Sequence, residues 1–297
     1  MNELNSTLKE APPNEPIFLD NETCPYCGTE LNAQTVTKEH VIGRNFVPKG
    51  KLEAQWNLIV RACRRCNFEK SQLEDDLSAI SMHPDAWGRH AVEDEVLASE
   101  AARKAKNCGS RRTGKIVKDS MEEITLSGSL LPGVNMTINL VCAPQADSER
   151  VYSLSSFHLR AFFYFVTYNQ ASRRGGIWLG DFFPILEARR ADWGNAIHRA
   201  FMEAVVSWEP RFLGFTARGF FKVVIRRHPT AVCWSWALEW NENYRIIGFL
   251  GEQDPTEEIL RQFPNLQTHS MVETPHTRVR YRREVALSPE DDKMFHW

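Results

Sequence analysis

The chain has 297 residues, with 36 Lys and Arg against 38 Asp and Glu, and 42% of its residues are hydrophobic. That apolar content excludes an intrinsically disordered chain, and 16 Gly with 15 Pro are too few for a collagen-like or low-complexity protein. No apolar run approaches the roughly 20 residues that a membrane helix needs. The polar, proline-rich start is not a secretory signal. We therefore expect a cytoplasmic protein without membrane contact, built from one large or two ordinary domains.

Cysteine spacing provides the first specific signal. Four of the seven cysteines form two CxxC pairs, Cys24 with Cys27 and Cys63 with Cys66. In a chain without a secretory signal, such pairs indicate a metal more readily than disulfides. Each pair aims two thiolates at one point, and two pairs complete a tetrahedral zinc site with no open position. The sequence therefore predicts a structural Zn²⁺ ion. The other three cysteines are interpreted as packing residues: Cys108, Cys142 and Cys233.

The segment between and after the cysteine pairs predicts a small α+β unit. Residues 36–42 form a β-branched run that contains Glu39 and His40, and residues 56–60 predict a second strand. After the second pair no helix breaker occurs, and apolar residues recur with helical spacing. We therefore expect a helix that begins close to Cys66. The predicted order is cysteine pair, strand, loop, strand, cysteine pair, helix.

This order of residues resembles the HNH endonucleases, specifically the zinc-stabilised branch of the ββα-metal (His-Me finger) nucleases. The similarity covers about residues 20–85, under a quarter of the chain. It rests on five elements in sequence: Cys24 and Cys27, Glu39-His40-Val41, Asn57-Leu58, Cys63-x-x-Cys66, and Asn67-x-x-Lys70.

The resemblance implies a role for each polar residue of the motif. His40 matches the general base, since an imidazole can take a proton from water near neutral pH. Glu39 and Asn67 match the ligands of one catalytic Mg²⁺ or Mn²⁺ ion, whose hard charge suits oxygen donors. Asn57 matches the residue that braces the loop and orients the histidine. Lys70, one helical turn beyond Asn67, is a candidate phosphate contact.

Two features of this motif leave questions open. Neighbouring side chains on a strand point to opposite faces, so Glu39 and His40 can share a site only if the strand end is twisted or bulged. Relatives commonly place proline shortly after the histidine, whereas this chain has Gly43 followed by Arg44, a further candidate phosphate contact. Outside the motif, His40 would be an ordinary structural histidine and Asn67 a helix N-cap.

Residues 88–149 are predicted to connect two domains. Residues 88–107 are alanine-rich and predict a helix, and short strands and turns are expected over 119–149. Between them lies a basic loop that we interpret as a flexible DNA backbone clamp, with a solvated linker as the alternative. Its candidate contact residues are Arg111, Arg112 and Lys115.

Residues 150–297 hold seven of the nine Trp and fourteen of the seventeen Phe, so this half is expected to bury a core of its own. Helices are predicted over 157–166 and 192–206, the second capped by Asp192, and a further helix starts at 254–257 with Pro255 in its first position. Strands of an antiparallel sheet are predicted over 220–226, 231–238 and 244–250.

The expected domains are a flexible tail (1–19), an HNH domain (20–87), the connecting region (88–149), and a separate α+β domain for recognition or regulation (150–297).

The expected function is a metal-dependent HNH endonuclease that hydrolyses phosphodiester bonds in double-stranded DNA, with anti-phage defence or restriction as its context. Since one finger cuts one strand, a homodimer or a partner protein is a further expectation. Two alternatives stay open: a non-catalytic zinc-finger module that binds nucleic acid, and an RNA-cleaving effector. The intact set of Glu39, His40, Asn57 and Asn67 disfavours the non-catalytic module.

Overall fold

The computed structural model describes residues 8–12, 14–131, 134–178, 180–273 and 278–296. Within these ranges the chain forms five α-helices and thirteen strands in four sheets, whose pairings are antiparallel except for two short parallel ones. The α+β class predicted from the sequence is thus confirmed. No helix in the described ranges is long and apolar enough to cross a membrane.

The N-terminal unit contains the predicted two strands and helix. Its elements are β2 (Ile17–Phe18), β3 (Val36–His40), β4 (Leu58–Cys63) and α1 (Arg64–Met82). Strands β3 and β4 pair antiparallel with His40 opposite Ile59, and β2 adds to the other side of β4 with Phe18 also opposite Ile59. Helix α1 packs against one face of this sheet, where Asn67 and Lys70 contact Thr37 and Glu39 of β3.

The connecting region differs from the prediction in two places. Helix α2 (Glu95–Asn107) begins seven residues later than expected, because Asp94 caps it by accepting a hydrogen bond from the backbone N–H of Leu97. In place of short strands and turns, two long strands, β5 (Glu122–Leu131) and β6 (Val134–Cys142), form an antiparallel hairpin.

The C-terminal half is organised around a six-stranded sheet, and the three strands predicted there are confirmed. Its strand order is β1-β8-β9-β10-β11-β7. These strands are β1 (Lys9–Glu10), β7 (Asp181–Arg189), β8 (Glu209–Thr216), β9 (Phe221–Arg227), β10 (Cys233–Trp240) and β11 (Tyr244–Gly251). The remaining elements are α3 (Ser148–Val166), α4 (Ala196–Val205), α5 (Gln253–Leu260), β12 (His269–Glu273) and β13 (Arg278–Tyr281).

Three predicted helix starts in the C-terminal half are wrong in detail. Helix α3 begins at Ser148, nine residues before the predicted start, because Asp147 caps it by accepting from the backbone N–H groups of Glu149 and Arg150. Residues 190–192 form a 3₁₀ turn, and α4 starts after Asn195, whose side chain accepts from the backbone N–H of His198. Asp192 therefore does not cap this helix. Pro255 occupies the third position of α5 instead of the first, because the N-cap is Glu252.

The large sheet is covered on both faces, and one face is shared with the N-terminal unit. Every residue of β10 and β11 is buried, as expected for strands packed on two sides. On one face Trp240 meets Phe46 of the N-terminal unit at 5.2 Å between ring centroids, and Phe212 meets Trp56 at 6.0 Å. On the other face Phe249 packs in a second cluster with α4.

The expected separation of residues 20–87 from residues 150–297 is therefore not seen in the packing. The C-terminal half does bury a core of its own on one face of its sheet, as predicted. The other face is covered by α3 and by the N-terminal unit in one continuous core. The segment expected to be a flexible tail likewise contributes β1 to the large sheet and β2 to the small one, while residues 1–7 and 13 lie outside the described residues.

Candidate functional site

The four paired cysteines lie together as the sequence predicts. The sulfur atoms of Cys24, Cys27, Cys63 and Cys66 all lie within 4.8 Å of one another, and Cys27 Sγ is 3.8 Å from Cys63 Sγ. A tetrahedron with zinc–sulfur bonds of about 2.3 Å places its sulfur atoms about 3.8 Å apart. Both the donor set and the spacing therefore fit a zinc ion, and four thiolates leave it no open position for catalysis.

Local backbone structure aims these thiolates at one point. In the first pair, Gly28 has φ +74° and donates its N–H to the carbonyl of Cys24 at 2.8 Å, which closes a tight turn. Glycine adopts this left-handed conformation without steric cost. In the second pair, Cys63 ends β4 and is the N-cap of α1, and Cys66 lies in its first turn. The positive end of the helix dipole favours negatively charged sulfur there.

Three of these thiols have perturbed pKa values: Cys24, Cys63 and Cys66. A hydrogen bond from the Cys66 thiol is the main cause that lowers the pKa of Cys24 to about 5. The same hydrogen bond raises the pKa of Cys66, and burial raises that of Cys63. Bound zinc would replace these protons, because only the thiolate is a metal ligand.

Replacing Cys24 with Ser should release the zinc ion and destabilise the N-terminal unit, because three thiolates no longer close the tetrahedron. We expect about one zinc per chain in the wild type and a value well below one in the variant. Metal analysis of the purified proteins measures this directly. Cys142→Ser is the matched control, since Cys142 is an exposed cysteine outside the cluster. Full zinc retention in Cys24→Ser would exclude the assignment.

His40 occupies the end of β3, on the sheet face away from α1. It pairs with Ile59 and therefore shares a face with it, whereas Thr37 and Glu39 point to the other face. Burial lowers the pKa of His40, and the positive charges of Arg44, Lys38 and Lys70 lower it further. Its imidazole is thus neutral at pH 7 and can accept a proton, in surroundings that favour an anion.

Asn57 braces the turn that follows His40. Its side-chain amide donates to the carbonyl of Ile42 at 2.7 Å, and its Oδ1 accepts from the backbone N–H of Ile42 at 3.2 Å. The side chain is buried, at 6% exposure. This geometry matches the bracing role that the resemblance implies.

Glu39 points into the interface between β3 and α1, where Lys70 is its partner. Lys70 Nζ lies 2.8 Å from Glu39 Oε1 and 2.5 Å from Glu74 Oε1, and donates to the His40 carbonyl at 3.3 Å. The β3–β4 pairing shows no bulge at this point, so Glu39 and His40 lie on opposite faces of the sheet. Lys70 is 1% exposed. The predicted phosphate contact by Lys70 is therefore wrong for this arrangement, because its ammonium group is buried between two carboxylates.

Asn67 lies on the α1 side of the sheet, as Glu39 does. Its amide donates to the hydroxyl of Thr37 at 2.9 Å, and it is not an N-cap because α1 is capped by Cys63. Carboxylate and amide oxygens suit Mg²⁺ or Mn²⁺ chemically. Their arrangement does not fit a shared cation, however, because the ammonium of Lys70 already neutralises Glu39.

Glu74 is a member of this site that the sequence analysis missed. Its Oε1 accepts from the backbone N–H of Gly43 at 3.2 Å, and a Cβ atom at Gly43 would lie 2.5 Å from its Oε2. Proline at position 43 would lack the N–H and would collide with the carboxylate, which accounts for glycine at this position. The i,i+4 spacing of Lys70 and Glu74 on a predicted helix is the signal that could have revealed the pair.

The turn over residues 40–43 is consequently held by three buried or half-buried polar side chains. Lys70 binds the carbonyl at its start, Asn57 binds both polar groups of Ile42, and Glu74 binds the N–H at its end. Such a network leaves the backbone that carries His40 little freedom to move.

Gly43→Ala should lower the free energy of unfolding by about 1–3 kcal/mol, because the new methyl group displaces the carboxylate of Glu74 from its hydrogen bonds. The φ angle of Gly43 is outside the left-handed region, so alanine adds no backbone strain there. In a protein that already carries Glu74→Ala, Gly43→Ala should lower the free energy of unfolding by at least about 0.5 kcal/mol less than it does in the wild type. Denaturant unfolding of the four proteins measures this coupling, and additive effects would contradict it.

The remaining candidate contacts lie at the surface. Arg44, Arg111 and Lys115 are exposed, and Arg112 forms an ion pair of 2.8 Å with Glu122. The loop that carries Arg111, Arg112 and Lys115 is closed by backbone hydrogen bonds between Ser110 and Lys115 and between Gly114 and Ser110. The three basic side chains of this loop are therefore carried by a hydrogen-bonded turn.

Comparison of the chain with protein-family models, with curated proteins and with solved structures gives no match.

Proposed function

We propose that this chain is an endonuclease of the HNH type that hydrolyses phosphodiester bonds in DNA with His40 as general base. The observation that carries the proposal is the turn after His40, held by Asn57, Lys70 and Glu74 next to a four-cysteine metal centre. A neutral imidazole carried by a braced backbone among positive charges is suited to take a proton from water beside an anionic phosphate.

The resemblance also implies one Mg²⁺ or Mn²⁺ ion held by Glu39 and Asn67. For Glu39 to serve as a ligand, Lys70 has to release it. The proposal therefore includes two conditions: DNA cleavage depends on Mg²⁺ or Mn²⁺, and Lys70 rearranges before the cation binds. A homodimer or partner protein would supply the second cut in a duplex, and defence against phage or restriction is the context we propose.

Wild-type protein should nick supercoiled plasmid in the presence of Mg²⁺ or Mn²⁺, and His40→Ala should reduce the rate at least about 100-fold, the lower bound typical of removing a general base. Because the pKa of His40 is lowered, the base form persists on acidification. The wild-type rate should therefore fall to half its plateau value at a pH below 6.5, the midpoint of an ordinary histidine.

His269→Ala is the matched control for that experiment, since His269 lies exposed on β12. Equal cleavage by wild type and His40→Ala would show that His40 is not the base or that the activity is a contaminant. Duplex DNA, single-stranded DNA and RNA are to be compared side by side, because the alternative RNA-cleaving effector would cut only the last.

A second candidate function, a non-catalytic module that binds nucleic acid, is favoured by one observation. The ammonium of Lys70 is buried and paired with Glu39 and Glu74. Removing one member of a buried ion pair costs about 3–5 kcal/mol, so this arrangement resists rearrangement. Binding without cleavage across a full Mn²⁺ titration would favour the module over the endonuclease.

Neutralising Arg111, Arg112 and Lys115 to Gln should weaken binding to duplex DNA, because fewer phosphates are then neutralised by the loop. The slope of log affinity against log salt should fall by about 0.9 for each phosphate that the loop no longer neutralises. Binding titrations at several salt concentrations measure this. The control is a triple variant with the same change in charge at exposed sites of the C-terminal half: Arg261, Arg283 and Lys293. If both triple variants keep the wild-type slope, the loop does not contact the backbone of DNA.

A further inference from the structure

The face of the small sheet that points away from α1, here called the outer face, carries three residues that are neighbours across its three strands. Phe18 on β2 and His40 on β3 are both paired with Ile59 on β4, so all three side chains share the face away from α1. Two strand spacings separate Phe18 from His40, a distance of about 9–10 Å. About three stacked nucleotides, or fewer extended ones, cover such a span.

Phe18 is unusual among the aromatic residues of this protein because its ring is open to solvent. It is 62% exposed, whereas most of the aromatic side chains in the described ranges are packed into the two cores. The ammonium of Lys38 lies 5.3 Å from the ring centroid, which confirms that both side chains lie on the same face. Lys38 therefore places a positive charge between the ring and His40.

The charges on this face favour an anionic strand. Of the three cations that act on His40, Lys38 lies on this face and Arg44 follows the turn at its edge, whereas Lys70 lies on the α1 side and is paired with Glu39 and Glu74. Arg61 on β4 is paired with Lys38 in the sheet, but its charge is neutralised by Asp20, whose Oδ1 lies 3.0 Å from Arg61 Nη1. The free positive charge is thus concentrated around His40 and beside Phe18, where a phosphate backbone would lie.

We propose that this outer face, defined by Phe18, Lys38, Ile59 and His40, binds a single-stranded segment of nucleic acid, with one base stacked on Phe18 and a nearby phosphate next to His40. Base stacking on an aromatic side chain together with adjacent cations is the physical basis of single-strand binding. A base inside a duplex has both faces occupied and cannot stack on Phe18. The proposal rests on the proposed function for the role of His40, and it changes the expected substrate from an intact duplex to a single-stranded or unpaired one.

The test measures binding, not cleavage, so that it is independent of the nuclease activity. Oligonucleotides containing 2-aminopurine are titrated with the full-length protein without added Mg²⁺ or Mn²⁺. Phe18→Ala should weaken binding of single-stranded DNA about 5- to 150-fold, the range expected for loss of one stacked base. It should also abolish quenching of the stacked 2-aminopurine, while Phe18→Trp retains both.

Phe68→Ala is the matched control, since Phe68 is 65% exposed on α1 and outside the outer face. Zinc content and thermal midpoint show that each variant is folded. The proposal is overturned if the wild type does not bind single strands, if Phe18→Ala binds them as tightly as the wild type, or if it loses duplex binding equally. An RNA strand of the same sequence identifies which nucleic acid is preferred. Loss of single-strand binding in Phe18→Ala without any cleavage by the wild type would support this surface and reject the nuclease.

Discussion

The buried ammonium of Lys70 is the constraint on which the arrangement of the N-terminal unit depends. It lies between Glu39 on β3 and Glu74 on α1, and isolated charges at such depth would each cost several kcal/mol. Burial lowers the pKa of Lys70, but the charges of Glu74 and Glu39 outweigh it and raise the pKa overall. Separating the three groups is therefore costly, and their contact holds α1 against β3 and, through the hydrogen bond from Gly43 to Glu74, the turn after His40.

Much of this unit could be predicted because its signals are local. Paired cysteines, β-branched runs and a breaker-free helix each leave a pattern within a few residues, and the structure has them in the predicted order. Glu74 left no such pattern, since an acid on a helix surface and an acid that binds a distant N–H look alike in sequence. The N-cap of α4 was missed for the same reason, because Asp192 and Asn195 are both good capping residues and look alike in sequence. Asn195 is the residue that caps the helix.

The relation between the two halves could not be predicted because it depends on long-range packing. An aromatic-rich segment indicates that a core exists, but not which elements cover it. Phe46 and Trp56 lie in the unit that resembles a nuclease finger, yet their rings pack on Trp240 and Phe212 of the large sheet. Asn241 strengthens this contact by donating to the carbonyl of Phe46. The N-terminal unit is thus stabilised by burial against the sheet, in addition to any zinc ion that its four cysteines hold.

The position of His40 limits how a substrate can approach. His40 is on the outer face of the small sheet, while Glu39 and Asn67 are on the side that faces α1. The sheet backbone separates a phosphate in contact with His40 from Glu39, so the proposed cation could meet that phosphate only around the end of β3 and only after Lys70 releases Glu39. That end is the turn leading to Gly43, where Arg44 is exposed. A nucleic-acid strand that lies along the outer face and passes over this turn contacts His40 and also reaches the end of β3. A nucleic-acid strand that lies along the surface of α1 does not reach His40.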